Sequence, residues 1–329
     1  MKLSWGLVLA VAWHTVLLAG DAPVVKLVEV RRIWDKAPHN AFTDLIRFKD
    51  RWFLAFREGQ GHVSDDGKLR VIASADGQEW KSVALMAWDK GDVRDAKLSI
   101  AADGRLMLNG AVRFHSLEKG NVFQSLAWLS ADGETWSDGR LTSGPDLWMW
   151  STTWHKGIGY SIGYGTGAKK LIRLLRSRDG VTWEMAADDL FPGGSYANET
   201  SLVFTADDAC HCLLRRDSDT NTAQLGLARP PYTEWTWKDL GVRIGGPKMI
   251  QLPDGRFLAT VRLYDKKVRT GLCWLDAEKG RLQEALTLPS GGDTSYAGMV
   301  LHEGLLWLSY YSSHEARTSI YLAKVQLGP

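Results

Sequence analysis

Short apolar runs recur along the chain, each bounded by Gly, Asp, Ser or Asn. Six of them, at 52–56, 106–112, 158–164, 210–215, 257–263 and 305–310, follow one another at about 50-residue intervals. Runs of this length between turn residues predict strands rather than helices. Many are preceded by a turn with Gly or Asp, at 102–104, 206–208, 253–255 and 302–304. Upstream of each run another strand is expected to begin, near Asn40, Arg94, Trp150, Glu199, Lys248 and Tyr296. Self-similarity at a fixed period marks a repeat architecture. The pattern predicts six repeats, each of four short strands.

A third run in each of the first three repeats ends in one motif: Ser74-Ala-Asp-Gly-Gln-Glu-Trp80, Ser130-Ala-Asp-Gly-Glu-Thr-Trp136 and Ser177-Arg-Asp-Gly-Val-Thr-Trp183. Asp-Gly favours a tight turn, because Gly accepts positive φ and Asp bonds its own backbone. The Ser and Asp cap that turn, and the Trp anchors it on apolar neighbours. The motif therefore reads as a hairpin turn closing an apolar strand. In repeat four it decays to 228–235, which keeps Trp235, and in repeat five to 276–280. Repeat six lacks a fourth strand, since the sequence stops shortly after the run 319–325. Residues 24–30 supply a spare strand that would pair into the last repeat and close a ring.

Composition narrows the class. The 329 residues are 45% hydrophobic and 24% charged, an ordinary globular balance. The net charge of +2 is unclustered, which gives no electrostatic case for a nucleic-acid partner. Of the 16 Trp, the turns use several; flat aromatic faces also stack on sugar rings. Residues 1–20 read as a secretory signal: Lys2, an apolar stretch over 5–18, then Ala19-Gly20. That reading places the mature chain, residues 21–329, in a secreted or periplasmic location, with an uncleaved anchor as the alternative. No later segment is apolar for long enough to span a membrane. Cys210 and Cys212 flank His211, but strand alternation puts the two thiols on one face and the imidazole on the other. Two thiolates without a second ligand pair make a poor zinc site. Buried strand cysteines are expected, with a bridge to Cys273 left open by the sequence.

The three turns resemble the Asp-box of the sialidase superfamily. The resemblance covers nearly the whole mature chain and implies an all-β, six-bladed β-propeller of four-stranded antiparallel blades. It implies an exo-acting retaining glycoside hydrolase that cleaves a terminal acidic sugar, sialic acid or a related one, from a glycan partner, with neither metal nor organic cofactor. In that family a Glu and a Tyr occupy two inner-strand starts, which here match Glu199 and Tyr296. The Tyr would attack the anomeric carbon and the Glu would take its proton. A phenol needs such a base, because its ordinary pKa is about 10. The family's general acid falls in the loop after the second strand of repeat one. Asp65 is the preferred match there, with Asp66 and His62 as competitors.

The same resemblance implies three arginines around a substrate carboxylate. The second position matches Arg216 or Arg215, since alternation turns only one toward the site. The third matches Arg269, with Arg262 as a neighbour that could substitute. At the first position the chain departs from the family and carries Asn40, which supplies no charge. Arg57 or Arg94 could restore a third cation. Asp95, Trp150, Lys248, Tyr310 and His314 are further lining candidates. Two rival readings follow: the same fold acting on a different sugar, and a non-catalytic propeller that binds glycan or protein. The Tyr296–Glu199 separation discriminates the second of these.

Overall fold

The repeated turn forms from its own side chains. In the second copy the Ser130 hydroxyl accepts the Gly133 N–H at 2.7 Å, and the Asp132 carboxylate accepts the N–H groups of Glu134 and Thr135. Those hydrogen bonds hold the Asp132 carboxyl down at about 2. The Trp136 indole donates to the Gly133 carbonyl, closing the loop on itself. The copies at Ser74 and Ser177 repeat the pattern. Gly133 has φ of 81°, and a Cβ there would lie 2.3 Å from the Phe53 ring of the preceding repeat. Glycine is required both for the turn and for that approach. The decayed copy keeps the indole bond, from Trp235 to the Tyr232 carbonyl at 3.0 Å.

Each turn joins the third strand of a sheet to its outermost strand. The computed structural model describes residues 24–118, 121–168, 170–193 and 196–328. The expected signal segment lies outside them. The described residues form six four-stranded antiparallel sheets and no helix, in the arrangement of a six-bladed β-propeller. The inner strands are His39–Phe48, Gly91–Ile100, Leu147–His155, Ala197–Phe204, Ile244–Gln251 and Thr294–His302, which define blades one to six. The expected second strands lie within Arg51–Gly59, Leu106–Glu118, Ile158–Gly165, Cys210–Arg216, Phe257–Leu263 and Leu305–Ser312.

Blade six takes its outer strand from the start of the chain. Val25–Trp34 pairs with Ser319–Leu327, running from Val25 opposite Leu327 to Trp34 opposite Ile320. The strand is longer than the expected 24–30, because Trp34 is buried against Phe56 of blade one. Closure removes the open sheet edge. Apolar clusters fill the spaces between neighbouring blades, as with Phe53, Leu69 and Val71 of blade one against Leu106, Leu108 and Leu126 of blade two. Each such fully buried side chain contributes about 1.5–3 kcal/mol of apolar burial. Cys210, Cys212 and Cys273 are buried free thiols, and His211 packs instead on Phe257. Burial pushes the Cys212 thiol well above its ordinary pKa, so these are packing residues.

Candidate active site

All six inner strands carry a β-bulge at one equivalent place. The register to the second strand slips between Ala41 and Asp44, Arg94 and Lys97, Met149 and Thr152, Ala197 and Thr200, Gly245 and Lys248, and Ser295 and Gly298. A bulge adds one residue and re-aims its side chain. The bulge residues are Phe42-Thr43, Asp95-Ala96, Trp150-Ser151, Asn198-Glu199, Gly246-Pro247 and Tyr296-Ala297. Six sequence-distant pairs thereby meet at the ring centre. Phe42, Asp95 and Tyr296 sit at φ of 59°, 58° and 53°. For aromatic residues that left-handed backbone is strained, and strain of this kind is retained where function requires it.

Tyr296 and Glu199 meet there. The phenol donates to the Glu199 carboxylate at 2.6 Å, and the two residues are 6% and 7% exposed. Arg215 completes a triangle, with one guanidinium nitrogen 2.7 Å from Glu199 and 2.9 Å from the phenol oxygen. The Gly246 N–H holds the second Glu199 oxygen at 2.7 Å. Burial opposes ionisation of Glu199, but the Arg215 charge and these hydrogen bonds outweigh it and lower the pKa. Burial and then the Glu199 charge push the Tyr296 phenol well above its ordinary range. The resting pair is thus a neutral phenol bonded to a carboxylate. Phe42, Trp150 and Tyr311 wall the Tyr296 ring at 5.1–5.9 Å between centroids, and the Arg262 guanidinium lies 5.2 Å from its centre.

Asp95 lies on the blade-two bulge. Burial raises its carboxyl to about 6, against the pull of the Arg94 and Lys97 charges, and it senses the charge of Glu199. The Lys97 ammonium sits beneath, 5.0 Å from the Trp150 ring and 5.9 Å from the Tyr296 ring. Lys248 is paired with Asp44 at 3.1 Å.

Several expected residues point elsewhere. Asp65 is 77% exposed at its side chain and pairs with Arg113, while its carbonyl accepts from His115. The loop turns it outward because the buried Arg57 grips the loop from inside, through Gly61 and Ser64. Asp66 receives the Gln60 N–H within the same turn. Arg216 faces Thr220, Thr222 and Asp239, so Arg215 is the member of the pair that reaches the site. Arg269 is held by Glu284 and Asp265 at the outer part of blade five, and Arg262 stands beside Tyr296 in its stead. Asn40 is fully buried and bonds the carbonyls of Ala37 and Thr318, which ties blade one to blade six. Tyr310 donates to the Pro289 carbonyl, and its neighbour Tyr311 faces the ring centre. His314 bonds Ser312 near the rim.

Arg57 and Arg94 converge on the buried Asp92. His62 lies over Phe42 at 5.2 Å and bonds Asp293 at 2.7 Å; His39 bonds the same Asp293 oxygen at 3.0 Å. The second Asp293 oxygen receives Arg262 and Tyr311. His39, His62 and Asp293 form the one group among the described residues that could hold a metal ion. Phe42, Lys97, Asp293 and Tyr311 escaped the sequence reading. At Phe42 a slipped register reverses strand parity, and only a three-dimensional alignment of all six bulges exposes that; Asp293 precedes its strand and Tyr311 lies on a second strand, outside any inner-strand pattern.

No family model and no curated protein sequence matches the chain. Solved structures match in fold. A protein of unknown function from Dyadobacter fermentans is 21% identical with a TM-score of 0.81, over 93% of this chain and 100% of that one. An alpha-L-arabinanase from Penicillium chrysogenum, complexed with arabinobiose, is 10% identical with a TM-score of 0.69, over 90% and 98% of the two chains. The Trypanosoma rangeli sialidase in complex with sialic acid is 13% identical with a TM-score of 0.67. This chain covers 59% of that sialidase. At these identities the likeness shows the fold alone.

Proposed function

We propose that the chain is a retaining, exo-acting glycoside hydrolase, with Tyr296 as nucleophile, Glu199 as its base and Asp95 as the acid/base. The observation that carries the reading is the buried Tyr296–Glu199–Arg215 triangle, with its 2.6 Å phenol–carboxylate contact. A phenol beside a poised base is an activated nucleophile. A propeller that only binds glycan or protein has no use for such a pair at the ring centre. The arabinanase and the sialidase among the structural neighbours support the class of reaction.

In the first step the Tyr296 oxygen bonds to the anomeric carbon as its proton passes to Glu199. Asp95, protonated below about 6, gives its proton to the departing glycosidic oxygen. In the second step water attacks the anomeric carbon and yields a proton to the Asp95 carboxylate. The phenolate leaves and recovers its proton from Glu199. Arg215 offsets negative charge on both partners throughout. A carboxyl raised by burial next to one held ionised is the division of roles that acid/base pairs use.

One observation favours a second reading. The phenol is pushed up rather than down while Glu199 stays ionised, so Glu199 itself could attack with Tyr296 as its hydrogen-bond donor. Trapping with fluorinated glycosyl donors, followed by peptide mass spectrometry, separates the two. An adduct on Tyr296 supports the first reading, an adduct on Glu199 the second. Turnover with inversion at the anomeric carbon refutes both.

A further inference from the structure

We infer that this site takes an uncharged sugar ring at the position of attack, not one bearing a carboxylate; the inference rests on the glycosidase reading above. A carboxylate is held by guanidinium groups that present two parallel N–H bonds and an unbalanced positive charge. The arginines around Tyr296 present neither.

Each is already closed by a carboxylate of the protein. Arg57 spends one edge on Asp92 and its remaining nitrogens on Gly61 and Ser64. Arg94 turns two nitrogens onto the same Asp92. Arg215 lies between Glu199 and Asp217, with contacts of 2.7 and 3.0 Å. Arg262 bonds the Thr294 carbonyl, the Asp293 carboxylate at 3.0 Å and the Tyr311 hydroxyl. Each of the four guanidinium groups thus bonds a carboxylate, Asp92 being shared by Arg57 and Arg94, and Arg215 having both Glu199 and Asp217. Asn40, at the place where a carboxylate-binding arginine would stand, has its amide committed to the chain.

An entering carboxylate would have to displace Asp217 or Asp293 from its arginine, or stay unpaired in a buried site. Either course is costly. A neutral ring meets no such demand. Its hydroxyls can use single guanidinium N–H groups of Arg94 and Arg262 and the imidazoles of His39 and His62, while Phe42 and Trp150 supply apolar faces.

The test compares turnover by the full chain on matched aryl glycosides. One set is neutral, with pyranosides and furanosides in both anomeric forms; the other carries carboxylates, with sialosides and uronides. Saturation-transfer NMR with the free sugars runs beside it, together with Asp293→Asn, which releases Arg262. The expected result is at least 100-fold higher kcat/KM for a neutral glycoside than for any carboxylated one. Carboxylated sugars should bind native protein no better than background, and Asp293→Asn should gain at least 10-fold in their binding. Preferred turnover of a carboxylated glycoside overturns the inference and leaves the glycosidase reading intact. If nothing turns over, that reading falls, and NMR decides the specificity: binding of the carboxylated sugar, or of no sugar, overturns it.

Discussion

Replacing Asp95 with Asn tests the ring-centre electrostatics without a change of shape. Asn also tolerates the left-handed backbone that Asp95 adopts, at φ of 58°. The native carboxyl is raised from 3.8 to about 6, chiefly by burial. In the unfolded chain it ionises near 3.8. Between those values the folded state holds a proton that the unfolded state has lost, so stability falls as pH rises. The contribution is fully present below about pH 4 and lost above about pH 6. A rise from 3.8 to about 6 amounts to roughly 3 kcal/mol. Carboxyls remote from the ring centre titrate alike in both proteins and cancel. Urea unfolding followed by Trp fluorescence, at several pH values from 4 to 7.5, measures the difference. The native protein should lose about 3 kcal/mol relative to Asp95→Asn across that range. Parallel stability curves would refute the raised carboxyl and with it the assignment of Asp95 as the acid.

Three further outcomes follow from other parts of the fold. Gly246→Ala puts a Cβ 2.6 Å from the Tyr296 ring at φ of 56°; a loss of about 1–3 kcal/mol in chemical denaturation is expected, with a larger proportional loss of activity. Ser130→Ala removes the acceptor for the Gly133 N–H and should cost about 1–3 kcal/mol, read by the same denaturation, with kcat unchanged. Deleting residues 1–34 uncovers the strand Ser319–Leu327 along its length, and size-exclusion chromatography should show aggregate in place of the peak of the full chain.

Much of the architecture was legible because its determinants are local. The Asp-Gly turns, the period of about 50 residues and the orphan last blade each follow from a few adjacent residues, and the six sheets follow from them. Tyr296 and Glu199 were legible because they sit at matching inner-strand starts. Asp65 was misplaced because a loop's direction depends on what grips it, here a buried arginine that forms part of no local motif. Arg216, Arg269 and Tyr310 were misplaced for two reasons. Arg216 and Tyr310 each adjoin a residue of like chemistry on a second strand, and alternation opposite the bulge decides which one faces the centre; Arg269 lies on a third strand, held outward by Glu284 and Asp265. Asn40 was read as standing at an arginine position without its charge, and it ties the first and last blades.

The central claim is that Tyr296 and Glu199 act together on a glycoside. The most direct measurement is fluorescent aglycone release across the neutral and carboxylated panel, by the native chain beside Tyr296→Phe. The account predicts turnover by the native chain and a loss of about 1,000-fold or more in the variant, which keeps the ring and its packing while removing the nucleophile. Equal rates in the two proteins, or no release from any glycoside by the native chain, would contradict it.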